Sequence, residues 1–351
     1  MKKKIAVGVL AATGAVGQRF VQLLADHPWF EVVAVTGSER TAGRPYGEGV
    51  NWIIPGDPPP SVAGLIVQDS KPGLDVPVLF SALPTKQARE MEPVFAEAGY
   101  AVITNASAYR MAEDVPLLIP EINPDHTQII ATQQAKRNWS GYIVASPNCS
   151  TTSAVLPLKV FQDAFGLEAA IMTTMQAISG AGYPGVSSLS ILDNVIPYIG
   201  GEDEKLEAEP KKLLGSVEAE AIRLADIRLS AQANRVPVVD GHLASVSVKL
   251  SRSASPAEAI EVLENWQPPA ICRQLPTSPE RPLIYRHEND RPQPKLDRDS
   301  ENGLAWSVGK VRDCDVLDLR YLSITHNTLR GAASGSILNA ELLVVQGCIQ
   351  S

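Results

Sequence analysis

The run Ile143-Val144-Ala145-Ser146-Pro147-Asn148-Cys149-Ser150-Thr151-Thr152 places a cysteine where an apolar, β-prone stretch gives way to a Ser/Thr-rich one. The pattern predicts a strand that stops at Ser-Pro-Asn and a helix over Ser150–Gly166. Cys149 then stands at a helix start, where unpaired N–H groups and the positive end of the dipole favour an anion. That position favours thiolate over thiol and makes Cys149 a candidate nucleophile. Burial as a small apolar side chain is the alternative use of the same residue.

A cysteine nucleophile needs a proton-transfer partner, and imidazole titrates near neutral pH. The histidines are His27, His126, His242, His287 and His326. His27 and His126 lie beside proline or aspartate in turn-like contexts, which leaves His242, His287 and His326. His242 follows the turn pair Asp240-Gly241 and opens a strand on whose face it sits with Ala244, Val246, Val248 and Leu250. The pattern fits a base and a core-edge histidine equally well.

The elements that must position these groups begin with KIAVGVL, residues 4–10, a buried strand. A glycine turn follows and leads into a helix with Val16, Phe20, Leu23 and Leu24 on one face. Pro28 closes that helix, and Glu31–Thr36 is the next strand. This is a βαβ unit opening on Gly8-x-x-Ala11-x-x-Gly14-x-x-Gly17, as in dinucleotide-binding folds. Gly14 and Gly17 permit close approach of a pyrophosphate and tight helix packing, whereas Ala11 stands where such loops carry glycine. After the second strand, Ser38 and Arg40 suit a 2′-phosphate, so NADP is favoured, while Glu39 keeps NAD open.

The α/β alternation continues through a strand over Pro77–Leu83, a helix over Thr85–Ala98 and a strand over Tyr100–Thr104. Strand ends face the ligand crevice in such sheets, which singles out Ser81-Ala82-Leu83-Pro84 and Asn105–Arg110. Beyond Cys149, strand-like segments at 170–178, 235–239, 242–250, 304–311 and 316–325 predict an α+β second domain. Asn327–Gly335 then leads into an apolar helix ending near Val345, which returns to the first domain. The expected fold class is therefore α/β: a Rossmann-type domain of residues 1–149 plus about 327–351, and an α+β domain of residues 150–326.

At 351 residues the chain exceeds one typical core. A net charge of −8 and a pI of about 5.3 argue against a nucleic-acid partner, so any anionic ligand is held by local cations. Cys149, Cys272, Cys314 and Cys348 are widely spaced, with no cysteine–histidine cluster for a metal, which fits a reducing compartment. Lys2-Lys3-Lys4 before an apolar run resembles a signal peptide superficially, but the run reads as strand, glycine turn and helix. A cytoplasmic protein with no membrane partner is expected.

Taken together, SPNCSTT with Gln176 in MQAISGAGYPG, Arg235 and His242 in RVPVVDGH, and Glu202 with Lys205 in GEDEKLEAEP resembles the aspartate-β-semialdehyde dehydrogenases of archaea and fungi, nearly end to end. The resemblance implies reversible, NADP-dependent, phosphorylating oxidation of L-aspartate 4-semialdehyde to 4-aspartyl phosphate, a step toward lysine, methionine and threonine. It implies Cys149 as nucleophile, His242 as base, Asn148 as an oxyanion donor and Gln176 as orienter of the carbonyl. Arg235 would hold the substrate carboxylate through its planar fork and Glu202 the ammonium, with Arg110 and Lys205 on inorganic phosphate. The EDEKLEAEPKK run is also readable as a solvated helix face. Cofactor contacts are expected at Gly8, Thr13, Gly14, Ala15, Val16, Ser38, Arg40, Ser81, Ala82, Leu83, Gly180 and Asn327, and the resemblance implies a homodimer or homotetramer. Ser334 occupies a place where the family often has glycine, and like Ala11 it removes no reacting group. The rival enzyme classes are malonyl-CoA reductase, whose cysteine motif lacks Pro-Asn-Cys-Ser, and N-acetyl-γ-glutamyl-phosphate reductase, which usually has glycine before its cysteine. A non-catalytic NADP-binding sensor would be expected to have lost the nucleophile or the base.

Overall fold

The computed structural model describes residues 3–350, so Lys2 of the basic N-terminal run lies outside it. Six short strands form the first sheet: β1 (Ile5–Leu10), β2 (Phe30–Gly37), β3 (Val67–Asp69), β4 (Val78–Ser81), β5 (Ala101–Thr104) and β6 (Tyr142–Ala145). Every pairing is parallel and the order is β3-β2-β1-β4-β5-β6, the doubly wound arrangement whose ligand crevice opens at the β1/β4 switch point. Helices α1 (Ala15–Leu24), α2 (Thr85–Glu97) and α3 (Ile129–Arg137) belong to its connections. Strands covered on both faces read as continuous apolar runs, as VLFS of β4 and YIVA of β6 do.

The long helix α4 (Cys149–Phe165) leaves this sheet and is buried along nearly its whole length. It is followed by β7 (Leu167–Gln176), helix α5 (Glu202–Leu213), a small hairpin of β8 (Ser216–Glu218) and β9 (Ala221–Arg223), β10 (Arg228–Arg235) and β11 (His242–Leu250). Helix α6 (Pro256–Asn265), capped by Ser255 and Glu258, precedes β12 (Leu283–Arg286), β13 (Trp306–Asp313) and β14 (Leu319–Thr325). The second sheet is mixed, in the order β10-β7-β11-β14-β13-β12.

One apolar core runs from the first sheet (Leu79, Val102, Ile143) through α4 (Val155, Leu158) to the second sheet (Met172, Val246, Trp306). The other face of the first sheet packs against α1 and the returning helix α7 (Ser334–Val345), with Phe20, Phe80, Val144, Leu338 and Leu342 in one cluster. Before α7, Arg330 donates to Glu121 at 2.8 Å and lies over the Trp306 ring at 4.3 Å, which pins the turn leading into that helix.

Two local outcomes differ from the pattern reading. The strand expected at 235–239 instead ends at Arg235 and begins at Arg228, because Pro237 lacks a ladder donor and Gly241 turns at φ 100°. Strand β7 begins at Leu167, directly after the Gly166 cap of α4. At the nucleotide turn, Gly17 packs so closely that a Cβ would stand 2.2 Å from the Ala11 carbonyl oxygen. Ala11 itself holds φ 55°, left-handed backbone for an L-residue, with its N–H donated to Thr36 Oγ1 at 3.1 Å. Ala11→Gly is expected to stabilise the chain by up to about 1 kcal/mol, since relief of left-handed strain exceeds the added freedom of the unfolded chain. A rise in the thermal midpoint checks this; a fall would mean that the methyl contributes packing that outweighs the strain.

Candidate active site

Sheet topology explains how residues far apart in sequence meet. Strands β10 and β7 are parallel and paired at Arg235 and Gln176, while β11 runs antiparallel to β7 and starts at His242. The ends of two strands and the beginning of a third therefore fall at one end of the second sheet. The start of α4 carries Cys149 to the same place.

The Cys149 Sγ lies 3.3 Å from His242 Nε2 and 3.4 Å from Asn148 Oδ1, to which the thiol donates. His242 is fully buried, and its Nδ1 accepts the Ala177 N–H at 3.1 Å. A ring nitrogen that accepts carries no proton, so the neutral imidazole holds its proton on Nε2 and directs it at the sulfur. The Ala177 carbonyl accepts Arg235 Nη1 at 2.7 Å, so the backbone of one residue fixes both side chains. Gly180 makes this packing possible: a Cβ there would stand 2.9 Å from Arg235 Nη1 and 3.0 Å from His242 Cε1.

Asn148 caps α4, with Oδ1 accepting the Ser150 N–H at 3.0 Å. Its Nδ2 donates to Glu202 Oε1 at 2.7 Å, and Lys205 Nζ donates to the same oxygen at 2.8 Å. The other Glu202 oxygen accepts Ser150 Oγ at 2.8 Å and Gln176 Nε2 at 3.1 Å. Burial opposes ionisation of Glu202, but Lys205, Ser150 and Asn148 outweigh it and hold the carboxyl at about 2. Helix α5 that carries Glu202 covers the edge of the second sheet: Asp203 and Glu207 accept the Ala233 and Ala231 N–H groups of β10 at 2.6 and 3.0 Å. The EDEKLEAEPKK run is thus an edge cover with Glu202 and Glu209 buried, and not a solvated face.

Electrostatics correct the sequence reading of Cys149. Burial pushes its thiol up to about 12, Glu202 adds to the rise, and Arg110, Arg235 and the Ser150 N–H oppose it. Burial, with the Arg235 charge, also lowers His242 to about 3. The helix start alone therefore does not ionise the nucleophile, and the resting pair is a neutral thiol beside a neutral imidazole.

A cleft of about 650 Å³ opens between the two domains, and Asn148, Cys149, Arg110, Glu202 and Lys205 form part of its wall. Of the residues expected to touch cofactor, Ala15, Val16, Gly180 and Asn327 line the cleft; Asn327 donates to Ser179 Oγ at 2.8 Å. Gln176, Arg235 and His242 stand just behind that wall, the last two beneath Gly180 in the 178–185 loop. Gly8 lies within β1, Thr13 and Gly14 lead into α1, and Ser38 and Arg40 are exposed after β2. Ser81, Ala82 and Leu83 lie at the end of β4, where the Ser81 hydroxyl is already given to Glu92 at 2.7 Å. Of the other histidines, His27 bonds Glu341, His126 bonds Asn123, His287 bonds Glu264 on the surface and His326 faces Asp299, so none joins the cysteine.

Three features escaped the sequence reading: the Ala177 backbone, Glu209 and Lys212. The last two were signalled by spacing, since 202, 205, 209 and 212 share one helix face. A raised thiol pKa lowers the thiolate fraction at neutral pH. Alkylation of Cys149 by iodoacetamide in the free protein is therefore expected to climb roughly tenfold per pH unit between about pH 7 and 10. Peptide mapping reads the rate, and a plateau reached near neutrality would contradict the raised thiol pKa.

The family model described as semialdehyde dehydrogenase, NAD binding domain, matches residues 6–130, and that described as semialdehyde dehydrogenase, dimerisation domain, matches residues 158–330. The chain is 50% identical over 347 residues to the aspartate-semialdehyde dehydrogenase of Archaeoglobus fulgidus, covering 99% of this chain and 100% of that one. It is 44% identical over 354 residues to the Schizosaccharomyces pombe enzyme of the same name, with 97% and 98% covered. The crystal structure of the Candida albicans aspartate semialdehyde dehydrogenase with NADP superposes with a TM-score of 0.91 at 39% identity, covering 98% of this chain and all of that one. By sequence and by fold, the chain belongs to the aspartate-semialdehyde dehydrogenase family.

Proposed function

We propose that this chain oxidises L-aspartate 4-semialdehyde to 4-aspartyl phosphate, reversibly, with NADP and inorganic phosphate, through a thioester on Cys149. The observation that carries this is the cysteine at a helix start, 3.3 Å from a histidine, on a cleft whose wall also carries Glu202, Arg110 and Lys205. Relatives that are aspartate-semialdehyde dehydrogenases support the aspartyl substrate over a malonyl-CoA or N-acetyl-γ-glutamyl one.

The nucleotide end fits NADP. Gly14 leaves the α1 N-terminus without a side-chain cap, and a Cβ there would meet nothing nearer than 3.5 Å, so room and free N–H groups face a pyrophosphate. Ser38 and Arg40 stand exposed for the 2′-phosphate. NADP, when bound, supplies the hydride acceptor.

At the substrate end, Arg235 spends Nη1 on Ala177 and keeps the rest of its fork for the substrate carboxylate. The substrate ammonium pairs with Glu202 and so cancels the negative charge that helps keep Cys149 protonated. The thiol proton leaves to solvent, and His242 Nε2–H donates to the thiolate. Sulfur adds to the aldehyde carbon, the new alkoxide accepts from the same imidazole N–H and from Asn148, and the C–O bond closes to a carbonyl as hydride departs. Base catalysis by the same nitrogen requires the ring proton on Nδ1 and the loss of the Ala177 bond. Hydrogen phosphate, held by Arg110 and Lys205, attacks the thioester carbon and expels the Cys149 thiolate.

Residues 1–149 with about 327–351 hold the nucleotide, and 150–326 hold the substrate and the dimer contact. Ile171, Leu192 and Tyr198 are half to three-quarters exposed in the stretch matched by the dimerisation model, which supports a homodimer or a homotetramer built from it. None of the described helices is long and apolar enough to cross a membrane, and a cytoplasmic site suits the four unpaired cysteines.

NADPH formation from aspartate semialdehyde is expected to require phosphate for turnover, and Cys149→Ala is expected to lose about 10³-fold or more in kcat. Absorbance at the nicotinamide band follows both. Turnover independent of phosphate, or a fully active Cys149→Ala variant, would remove the thioester mechanism.

A further inference from the structure

Helix α5 presents four charged side chains on one face, Glu202, Lys205, Glu209 and Lys212, and the mechanism above uses only the first two. Glu209 is 2% exposed and divides its carboxylate between two loops. Its Oε1 accepts Arg110 Nη1 at 2.9 Å, and its Oε2 accepts the backbone N–H of Asn148, the residue before the nucleophile, at 2.7 Å. Lys212 Nζ donates to the carbonyls of Arg110, Ala112 and Val115 at 2.7, 2.6 and 2.7 Å. Arg110 is thus held by its backbone and by its guanidinium, whose Nη2 donates to the Asn105 carbonyl at 2.7 Å. Its Nε is buried with no partner among the described residues, and the side chain lines the cleft. A guanidinium fixed on two sides and short of one acceptor is prepared for an added anion.

We propose that Glu209 is a positioning residue for the phosphate step: by gripping Arg110 with one oxygen and the Asn148 peptide with the other, it sets the distance between the phosphate-binding cation and the thioester on Cys149. This rests on the reading that Arg110 binds phosphate. The geometry separates the two half-reactions. Acylation of Cys149 and hydride loss use His242, Arg235, Glu202 and Asn148, and of these Glu209 touches only the Asn148 backbone N–H. Arg110 favours the Cys149 thiolate only as one of several nearby groups, whereas the attack of phosphate depends directly on where its guanidinium stands. Glu209→Gln keeps an acceptor for the Asn148 N–H and sets an amide against the guanidinium, which frees Arg110.

The experiment compares full-length wild type, Glu209→Gln, Arg110→Ala and the double variant, with phosphate varied at saturating aspartate semialdehyde and NADP. Glu209→Gln is expected to raise the KM for phosphate about tenfold, with kcat within about threefold. The burst of NADPH formed without phosphate keeps its wild-type amplitude and rate. Arg110→Ala raises the same KM, and the double variant is no worse than Arg110→Ala, since both act through one guanidinium. Glu209→Asp, which keeps the charge but is too short to reach both partners, repeats the shift if Glu209→Gln does not give folded protein. The proposal is overturned if both Glu209 variants leave the phosphate KM within about twofold of wild type while Arg110→Ala raises it. It is equally overturned if the burst falls in step with turnover, as a general structural role would require, or if the two substitutions multiply. An unchanged phosphate KM in Arg110→Ala instead removes the assignment of phosphate to Arg110, and this proposal with it.

Discussion

The buried carboxylate of Glu202 is the constraint on which the site is built. It accepts four hydrogen bonds, from the N-cap of α4, from the following serine, from the end of β7 and from its own helix. A carboxylate so placed stays charged because each oxygen is satisfied, and removing a donor would leave buried charge without compensation. Its pKa falls from 4.5 unfolded to about 2 folded, so its contribution to stability is fully present above about pH 4.5 and is lost as the pH falls toward 2. The same charge raises the thiol, so the group that assembles the site also keeps the nucleophile quiet until a cation meets it.

Much of this organisation is written locally in the chain. The alternation of short apolar strands with helices, and the glycines at 14 and 17, specify a parallel sheet with a nucleotide turn. Ala11 was legible as an exception, and its positive φ shows why: the turn needs the left-handed conformation that glycine adopts freely. Cys149 at the start of α4 and His242 at the start of β11 were likewise placed by turn residues beside them, Pro147-Asn148 and Asp240-Gly241.

The parts that were not legible depend on strands pairing across long stretches of sequence. Whether Arg235 and His242 converge could not be read across Pro237 and Gly241, and in the fold they do so through a third party, the backbone N–H and carbonyl of Ala177, which lies 58 and 65 positions away. The ionisation state of Cys149 also eluded the pattern, because a helix dipole is a local property whereas desolvation comes from everything packed around the sulfur. Glu209 and Lys212 were visible as a helical spacing, but without the fold nothing distinguished them from surface charge.

The returning helix α7 bears on how this protein is made. One face of the first sheet is covered only in part, by α1, until Ser334–Val345 joins the cluster of Phe20, Phe80 and Val144 and brings Glu341 to His27 Nε2. During synthesis from the N-terminus, the nucleotide domain therefore emerges first and closes last, with the second domain translated in between. For most of translation a ribosome-bound chain leaves part of an apolar sheet face exposed, the kind of surface that holding chaperones bind, until its last helix is made.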